Sequence, residues 1–197
     1  MRVVGIKKAY GDRVVFDGLE IEFPDGKITC VMGKSGVGKT TLLKILAGLT
    51  PYTGRVEGCE KVAFVFQEPR LIAHMSVEEN IAFAVGRDAL IKEKIAKLLA
   101  EVGLKGMEKR LAKTLSGGEA SRVALVRAFA YGAPVILMDE PFADLDGETK
   151  AQVKKAFLKL WEEKKQTVVI VTHDQAEALE LGEKVVELAA QNLENIH

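Results

Sequence analysis

The sequence is short of the features that define several large protein classes. Two cysteines, Cys30 and Cys59, are too few for a disulfide framework, and Cys30 inside the apolar run Ile28–Met32 reads as a small core residue. This usage fits a reducing cytoplasm. No excess of either charge is present, because 28 Lys+Arg balance 28 Asp+Glu. The chain therefore lacks the basic surplus that grips a phosphate backbone by counterion release, and nucleic acid is not an expected partner. No uncharged run approaches the roughly 20 residues of a membrane helix. Lys7 and Lys8 are not followed by an apolar signal core, so neither a membrane span nor an export leader is expected. Repeats, low-complexity tracts and Ser/Gly-rich linkers are missing too. What remains is ordinary globular composition, 48% hydrophobic and 28% charged over 197 residues, a length that suits one domain with a sub-lobe.

Short β-branched runs alternate with helical stretches along the chain. Ile28–Met32 precedes Lys39–Leu49, Val62–Phe66 precedes a helical region, Val135–Met138 precedes Glu148–Lys164, and Val168–Val171 precedes Gln175–Leu181. This alternation predicts an α/β fold with a mainly parallel sheet. The beginning differs: Arg2–Lys7, Val14–Phe16 and Leu19–Phe23 read as strands of a small antiparallel layer, joined at Gly11-Asp12 and Pro24-Asp25-Gly26. From about 71 to 113 no strand is expected. Ser76 and Glu79 form a capping box for one helix, and Leu90, Ile91, Ile95, Leu98, Leu99 and Val102 recur at helical spacing before Gly103. The expected organisation is an α/β core at about 1–70 and 131–197 with a helical subdomain at about 71–130.

The chemistry-bearing residues fall at the ends of these strands. Gly33, Lys34, Ser35, Gly36, Val37, Gly38, Lys39 and Thr40 fit G-x-x-x-x-G-K-[ST] between an apolar strand and a helix, the context a phosphate loop requires. Its glycines let backbone N–H groups turn toward phosphate oxygens, the helix presents its positive end, Lys39 adds a charge, and Thr40 offers a hydroxyl to Mg²⁺. Asp139 and Glu140 follow an apolar strand, where parallel sheets gather ligand groups; Asp139 suits Mg²⁺ and Glu140 suits activation of a water. Gln67 and His173 also close strands and are candidates to reach a terminal phosphate or its water. His74 and His197 have no such context. Leu115-Ser116-Gly117-Gly118-Glu119 opens a helix with a second capping box. Glycines in a first helical turn cost about 1 kcal/mol each relative to Ala and permit close backbone approach to a ligand. The result is a second anion-binding helix terminus, which a lone nucleotide would not need from the same chain.

In this order, the phosphate loop, Gln67, Leu115–Glu119, Asp139-Glu140, the run Ala143-Asp144-Leu145-Asp146 and His173 resemble the ATP-binding subunit of ATP-binding-cassette (ABC) transporters over nearly the whole chain. The resemblance implies a P-loop ATPase that binds ATP and Mg²⁺. It also implies a head-to-tail homodimer, or a pairing with a closely related cassette, in which the phosphate loop of one chain and Ser116–Glu119 of the other close over each ATP. Thr41 then belongs to the nucleotide site, Tyr10 matches the aromatic that stacks on adenine, Gln67 joins Thr40 and Asp139 at the metal, and Asp146 matches the residue that reaches across the dimer. A separate membrane-spanning permease is implied as partner, with a solute-binding protein possible, and the subunit would sit on the inner face of the cell membrane. Glu68-Pro69-Arg70-Leu71-Ile72 resembles importers of nitrate, sulfonates, taurine and related nutrients, although Ala73-His74 stands where that subgroup usually has Pro-Trp. Glu119 replaces a frequent Gln, and Ala143-Asp144 a frequent Ser-Ala. The chain ends soon after His173, so no C-terminal regulatory domain is expected. Two alternatives remain at this point: a soluble ABC ATPase of DNA repair or translation, and a small P-loop kinase.

Overall fold

A computed structural model describes residues 1–86 and 89–189. The chain forms two compact units, one of Met1–Val62, Leu137–Glu140 and Thr167–His197, the other of Ala63–Ile136 and Pro141–Gln166. The segment 71–130, read as a helical sub-lobe, lies wholly in the second unit. That unit also contains 131–136 and 141–166.

In the first unit, β1 (Arg2–Tyr10) lies between β2 (Arg13–Glu22) and β4 (Thr53–Glu57), paired antiparallel with both. The sequence suggested two short strands where β2 is one. Ile6 pairs with Leu19 while Lys7 pairs with Asp17, so Gly18, at φ 86°, is an extra residue absorbed as a bulge in a continuous strand. Strand β4 was not expected, because Thr-Gly-Arg-Val-Glu is mostly exposed and carries little apolar signal. A parallel ladder forms the centre of this unit: β3 (Ile28–Met32) pairs with β7 (Thr167–Val171) on one side and β8 (Lys184–Glu187) on the other. The end of β6 (Val135–Asp139) borders β7. Every residue of β7 is buried, as are the first four of β3, which is why both read as near-continuous apolar runs interrupted only by threonine, Thr29 in β3 and Thr167 at the start of β7. Two helices belong here, α1 (Lys39–Leu46) and α6 (Gln175–Leu181), the latter capped by Asp174, which accepts from the amides of Ala176 and Glu177.

The second unit begins with β5 (Val62–Val65), next to β6. Its helices are α2 (Val77–Val85), α3 (Ala89–Glu101), α4 (Gly117–Tyr131) and α5 (Gly147–Lys164). The capping box expected at Ser76 is formed, with Ser76 Oγ accepting from the Glu79 amide at 3.2 Å and Glu79 Oε2 accepting from the Ser76 amide at 2.8 Å. Of the periodic residues in and after α3, Ile95, Leu98, Leu99 and Val102 are buried, whereas Leu90 is 80% exposed. Helix α4 packs against α2, α3 and α5, and its interior is organised around Phe157. The Phe157 ring lies 6.1 Å from that of Phe129 and 6.2 Å from that of Phe142, and all three are fully buried. Edge-to-face aromatic contacts of this kind add to the hydrophobic gain of burial. Phe157→Ala should lower the unfolding free energy by about 3–5 kcal/mol in urea titration, the range for a fully buried Phe. A loss below about 1 kcal/mol would show that the cluster does not hold the helices together.

Candidate active site

The site in the first unit is built on the turn between β3 and α1. Gly33 has φ 150° and Gly38 φ 113°, and a Cβ at Gly33 would lie 2.7 Å from the Leu188 carbonyl oxygen. At Gly38 it would meet Val15 Cγ1 at 2.6 Å and the Phe16 ring at 2.8 Å, so only glycine completes this turn. Gly38 is also the N-cap of α1 and supplies no side-chain acceptor, which leaves the positive end of the helix without a side-chain cap. The Lys39 side chain is 7% exposed, and its ammonium donates to the carbonyls of Gly33 at 2.8 Å and Lys34 at 3.2 Å. Lys39 therefore also braces its own loop, in addition to supplying the charge the motif assigns to it. Arg13, which no sequence signal marked, fixes the loop from outside by donating to the Gly36 carbonyl at 2.6 Å.

A cavity of about 500 Å³ opens over this turn, lined by Ser35, Gly36, Gly38, Lys39, Thr40, Glu140 and His173. Thr40 Oγ1 donates to Asp139 Oδ1 at 3.3 Å, so the two residues assigned to a cation adjoin one another. Burial pushes the Asp139 carboxyl above its ordinary value and the adjacent Glu140 charge adds to this, while the Thr40 hydroxyl and the Lys44 and Lys39 ammonium groups oppose it. Such a carboxylate gains by meeting a cation. Among the described residues no group of three or more His, Cys, Asp or Glu forms a cage. One hydroxyl beside one carboxylate, next to a phosphate cavity, is the donor set that suits Mg²⁺, which shares its shell with substrate phosphates and water. Glu140 sits at φ 44°, a strained conformation for a non-glycine residue, held by its amide donating to the Val171 carbonyl at 2.9 Å. Its Oε2 lies 2.9 Å from His173 Nδ1.

Tyr10 is 49% exposed, with the Lys8 ammonium 4.4 Å from the ring centroid. Hydrogen bonding with the Thr50 and Thr41 side chains holds its phenol below the ordinary value, which joins Tyr10 to the residue just after the loop. His74 is exposed, and His197 lies outside the described residues.

The other sequence-marked residues belong to the second unit. Ser116 caps α4 by the expected box: its Oγ accepts from the Glu119 amide at 3.3 Å, and Glu119 Oε2 accepts from the Ser116 amide at 2.7 Å. That amide, with Arg110 at 3.0 Å, holds the Glu119 carboxyl below its ordinary value. Around Gly117 the space is open, whereas a Cβ at Gly118 would lie 2.3 Å from Thr149 Cγ2. The tight approach at Gly118 is thus to α5 of the same unit. Asp146 caps α5 by accepting from the Thr149 amide at 3.0 Å, so Asp146 and Gly118 meet the same residue. Gln67 is exposed, and its Nε2 donates to Asp144 Oδ2 at 2.9 Å.

A glycine-built phosphate loop at a helix N-terminus, an adjoining Thr–Asp pair and a strained Glu–His pair define a P-loop ATPase. The ABC transporter family matches residues 16–143, and the chain belongs to that family. It is 39% identical over 198 residues to the aliphatic sulfonates import ATP-binding protein SsuB 1 of Mesorhizobium japonicum, a match covering 94% of this chain and 74% of the relative. It is also 39% identical over 214 residues to the sulfate/thiosulfate import ATP-binding protein CysA of Escherichia coli K12, covering 98% of this chain but spanning 59% of the relative's length. A solved ATP-binding cassette, dimeric and bound to ADP and Pi in a post-hydrolysis state, superposes with a TM-score of 0.80 at 28% identity, covering 98% of this chain and 96% of that one.

Lys39→Ala removes the ammonium of a lysine that lines the cavity. It should weaken ATP binding at least about tenfold in calorimetry, the equivalent of about 1.4 kcal/mol, while the melting temperature changes by only a few degrees. A folded variant with native ATP affinity would overturn the phosphate-loop assignment.

Proposed function

We propose that this chain is the ATP-hydrolysing subunit of an ABC importer, working as a head-to-tail pair of cassettes on a separate membrane permease. The observation that carries the reading is the cavity at the α1 N-terminus, where Lys39, Thr40, Glu140 and His173 converge. It lies in a chain 39% identical to import ATP-binding proteins. ATP is the substrate. The Gly33–Gly38 amides, the α1 terminus, Lys39 and Thr41 bind and orient its phosphates, and Tyr10 stacks on the adenine. Thr40 and Asp139 would hold Mg²⁺, which would neutralise phosphate charge in the transition state. Glu140 Oε2 takes a proton from the attacking water, and His173, 2.9 Å away at Nδ1, orients that carboxylate. The Ser116 hydroxyl and the Gly117 and Gly118 backbone amides of a second copy, on the turn that Glu119 caps, cover the terminal phosphate, and Asp146 of that copy reaches across the pair.

Relatives named for sulfonate and for sulfate or thiosulfate import support a small oxyanion as the transported solute. The subgroup resemblance of Glu68–Ile72 points the same way, and a solute-binding protein is the corresponding delivery partner. No helix among the described residues is long and apolar enough to cross a membrane, so the membrane path is assigned to another subunit, with this one on the cytoplasmic face. A groove of about 560 Å³ beside α2, lined by Ser76, Glu78, Ala82, Lys92, Lys109 and Leu111, is the surface we assign to a cytoplasmic loop of that permease. Phe83, also on α2, is 68% exposed and gives this helix an apolar contact to offer a partner.

The test is Glu140→Gln, whose amide keeps the shape but cannot take a proton. Light scattering after size exclusion should show a monomer that becomes a dimer with saturating Mg-ATP, because binding energy no longer ends in phosphate release. Adding Ser116→Arg should return it to a monomer that still binds ATP. Glu140→Gln that stays monomeric at high concentration with saturating Mg-ATP would count against the shared site and favour a kinase.

A further inference from the structure

One acidic side chain of the first unit is buried without a part in the site described above. Glu177, in the first turn of α6, is 3% exposed, on a helix whose other buried residues, Ala178 and Leu181, are apolar. A glutamate is almost never buried so fully unless a partner holds it. Its Oε2 accepts from Thr172 Oγ1 at 2.9 Å, and Thr172 is buried as well. A hydroxyl has one hydrogen and two lone pairs. With that hydrogen on Glu177, the Thr172 oxygen accepts from the Asp174 amide at 3.0 Å, which closes a turn with His173 at its centre. Asp174 completes the circuit, since its Oδ1 accepts from the Glu177 amide at 3.2 Å at the start of α6.

The same short stretch holds the Glu140–His173 pair. The peptide that joins Val171 to Thr172 is pinned from two sides: its carbonyl accepts from the Glu140 amide at 2.9 Å, and its N–H donates to the Val31 carbonyl at 3.2 Å. The strained backbone of Glu140, at φ 44°, and the residue before His173 are thus fixed through one peptide group. The His173 side chain is 65% exposed, so packing does little to aim its ring. Its direction comes from the backbone of residues 172–174, and that backbone is tied down by the Thr172 hydroxyl. Without an acceptor at position 177 the hydroxyl is free to rotate, and the turn around His173 loses its inner anchor.

We infer that Glu177 is a positioning residue for ATP hydrolysis: by holding the Thr172 hydroxyl it fixes the turn that aims His173 Nδ1 at Glu140. Glu177 does not line the nucleotide cavity and acts through Thr172 and His173. The inference rests on the proposed role of His173 in orienting Glu140. A misplacement of about 1 Å at a reacting group costs on the order of 100-fold in rate. The loss therefore falls on turnover, while ATP affinity, set by the β3–α1 turn, is kept.

The experiment measures steady-state ATP hydrolysis by the full chain, beside its calorimetric affinity for a non-hydrolysable ATP analogue. Glu177→Leu removes the acceptor at similar size and should lower kcat about tenfold or more, with analogue affinity within about twofold of native. Glu177→Gln keeps an acceptor oxygen for Thr172 and should retain most of the native kcat; a loss as large as that of Glu177→Leu would overturn the proposal. His173→Ala should lower kcat too, and Glu177→Leu added to His173→Ala should cost nothing more, because both act through one imidazole. If His173→Ala lowers kcat while Glu177→Leu stays within about twofold of native, the positioning role is wrong and the His173 assignment survives. If His173→Ala has native kcat, the role of His173 fails and this inference fails with it. An equal further loss when Glu177→Leu is added to His173→Ala, or loss of analogue binding in Glu177→Leu, would reduce Glu177 to a structural contact and overturn the proposal. Should Glu177→Leu not fold, Thr172→Val, which removes the hydroxyl at constant shape, takes its place with the same expected loss of kcat and the same lack of further effect on His173→Ala. Native kcat in Thr172→Val, or failure of both variants to fold, would overturn the proposal.

Discussion

Everything the first unit does chemically depends on one steric constraint, the turn from β3 into α1 that has no room for a Cβ at Gly33 or Gly38. A side chain at Gly38 would collide with Val15 and Phe16, and one at Gly33 with the Leu188 carbonyl. Because the turn closes this tightly, the first backbone amides of α1 have no side-chain cap, and the chain keeps a concentrated positive end for an anion. Lys39 sits inside the same turn, within 3.2 Å of two of its carbonyls, so loop shape and phosphate charge are set by the same residues.

The carboxylate pair follows from burial of the neighbouring strands. β7 is apolar from Val168 to Val171, and β6 is apolar until it ends at Asp139, and polar site groups appear where these strands stop. Asp139 emerges beside Thr40, partly desolvated and therefore raised. Glu140 emerges one residue later, turned into an unfavourable backbone conformation by its bond to Val171 and aligned with His173. Strain of about 1–3 kcal/mol at such a residue is tolerated where the surroundings over-determine it. The second unit solves a parallel problem with helix caps, since Ser116 and Asp146 each terminate a helix whose other functional residues they position.

What the sequence discloses is local chemistry. The phosphate loop, both capping boxes and the buried strands β3, β6 and β7 were legible because glycine placement, S-x-x-E spacing and near-continuous apolar runs each have a mechanism within a few residues. Strands β4 and β8 were not, because each is short and half or more of its residues face solvent, so that pairing partners rather than hydrophobicity make them strands. The fusion of two expected strands into β2 depends on a bulge at Gly18 that only the register with β1 defines. Leu90 followed helical spacing but lies beyond the buried face of α3. In the candidate site, the residues closest to the proposed chemistry were found by motif, while their supports were not. Arg13 on the loop carbonyl and Asp144 on Gln67 are contacts between distant segments, and no periodicity or spacing announces them.

The central claim is that this chain holds its nucleotide by the phosphates, through the α1 terminus and Lys39, more than by the base. Competition calorimetry with inorganic tripolyphosphate and with adenosine against an ATP analogue tests it directly. Tripolyphosphate should displace the analogue at concentrations where adenosine does not. Displacement by adenosine but not by tripolyphosphate would contradict it.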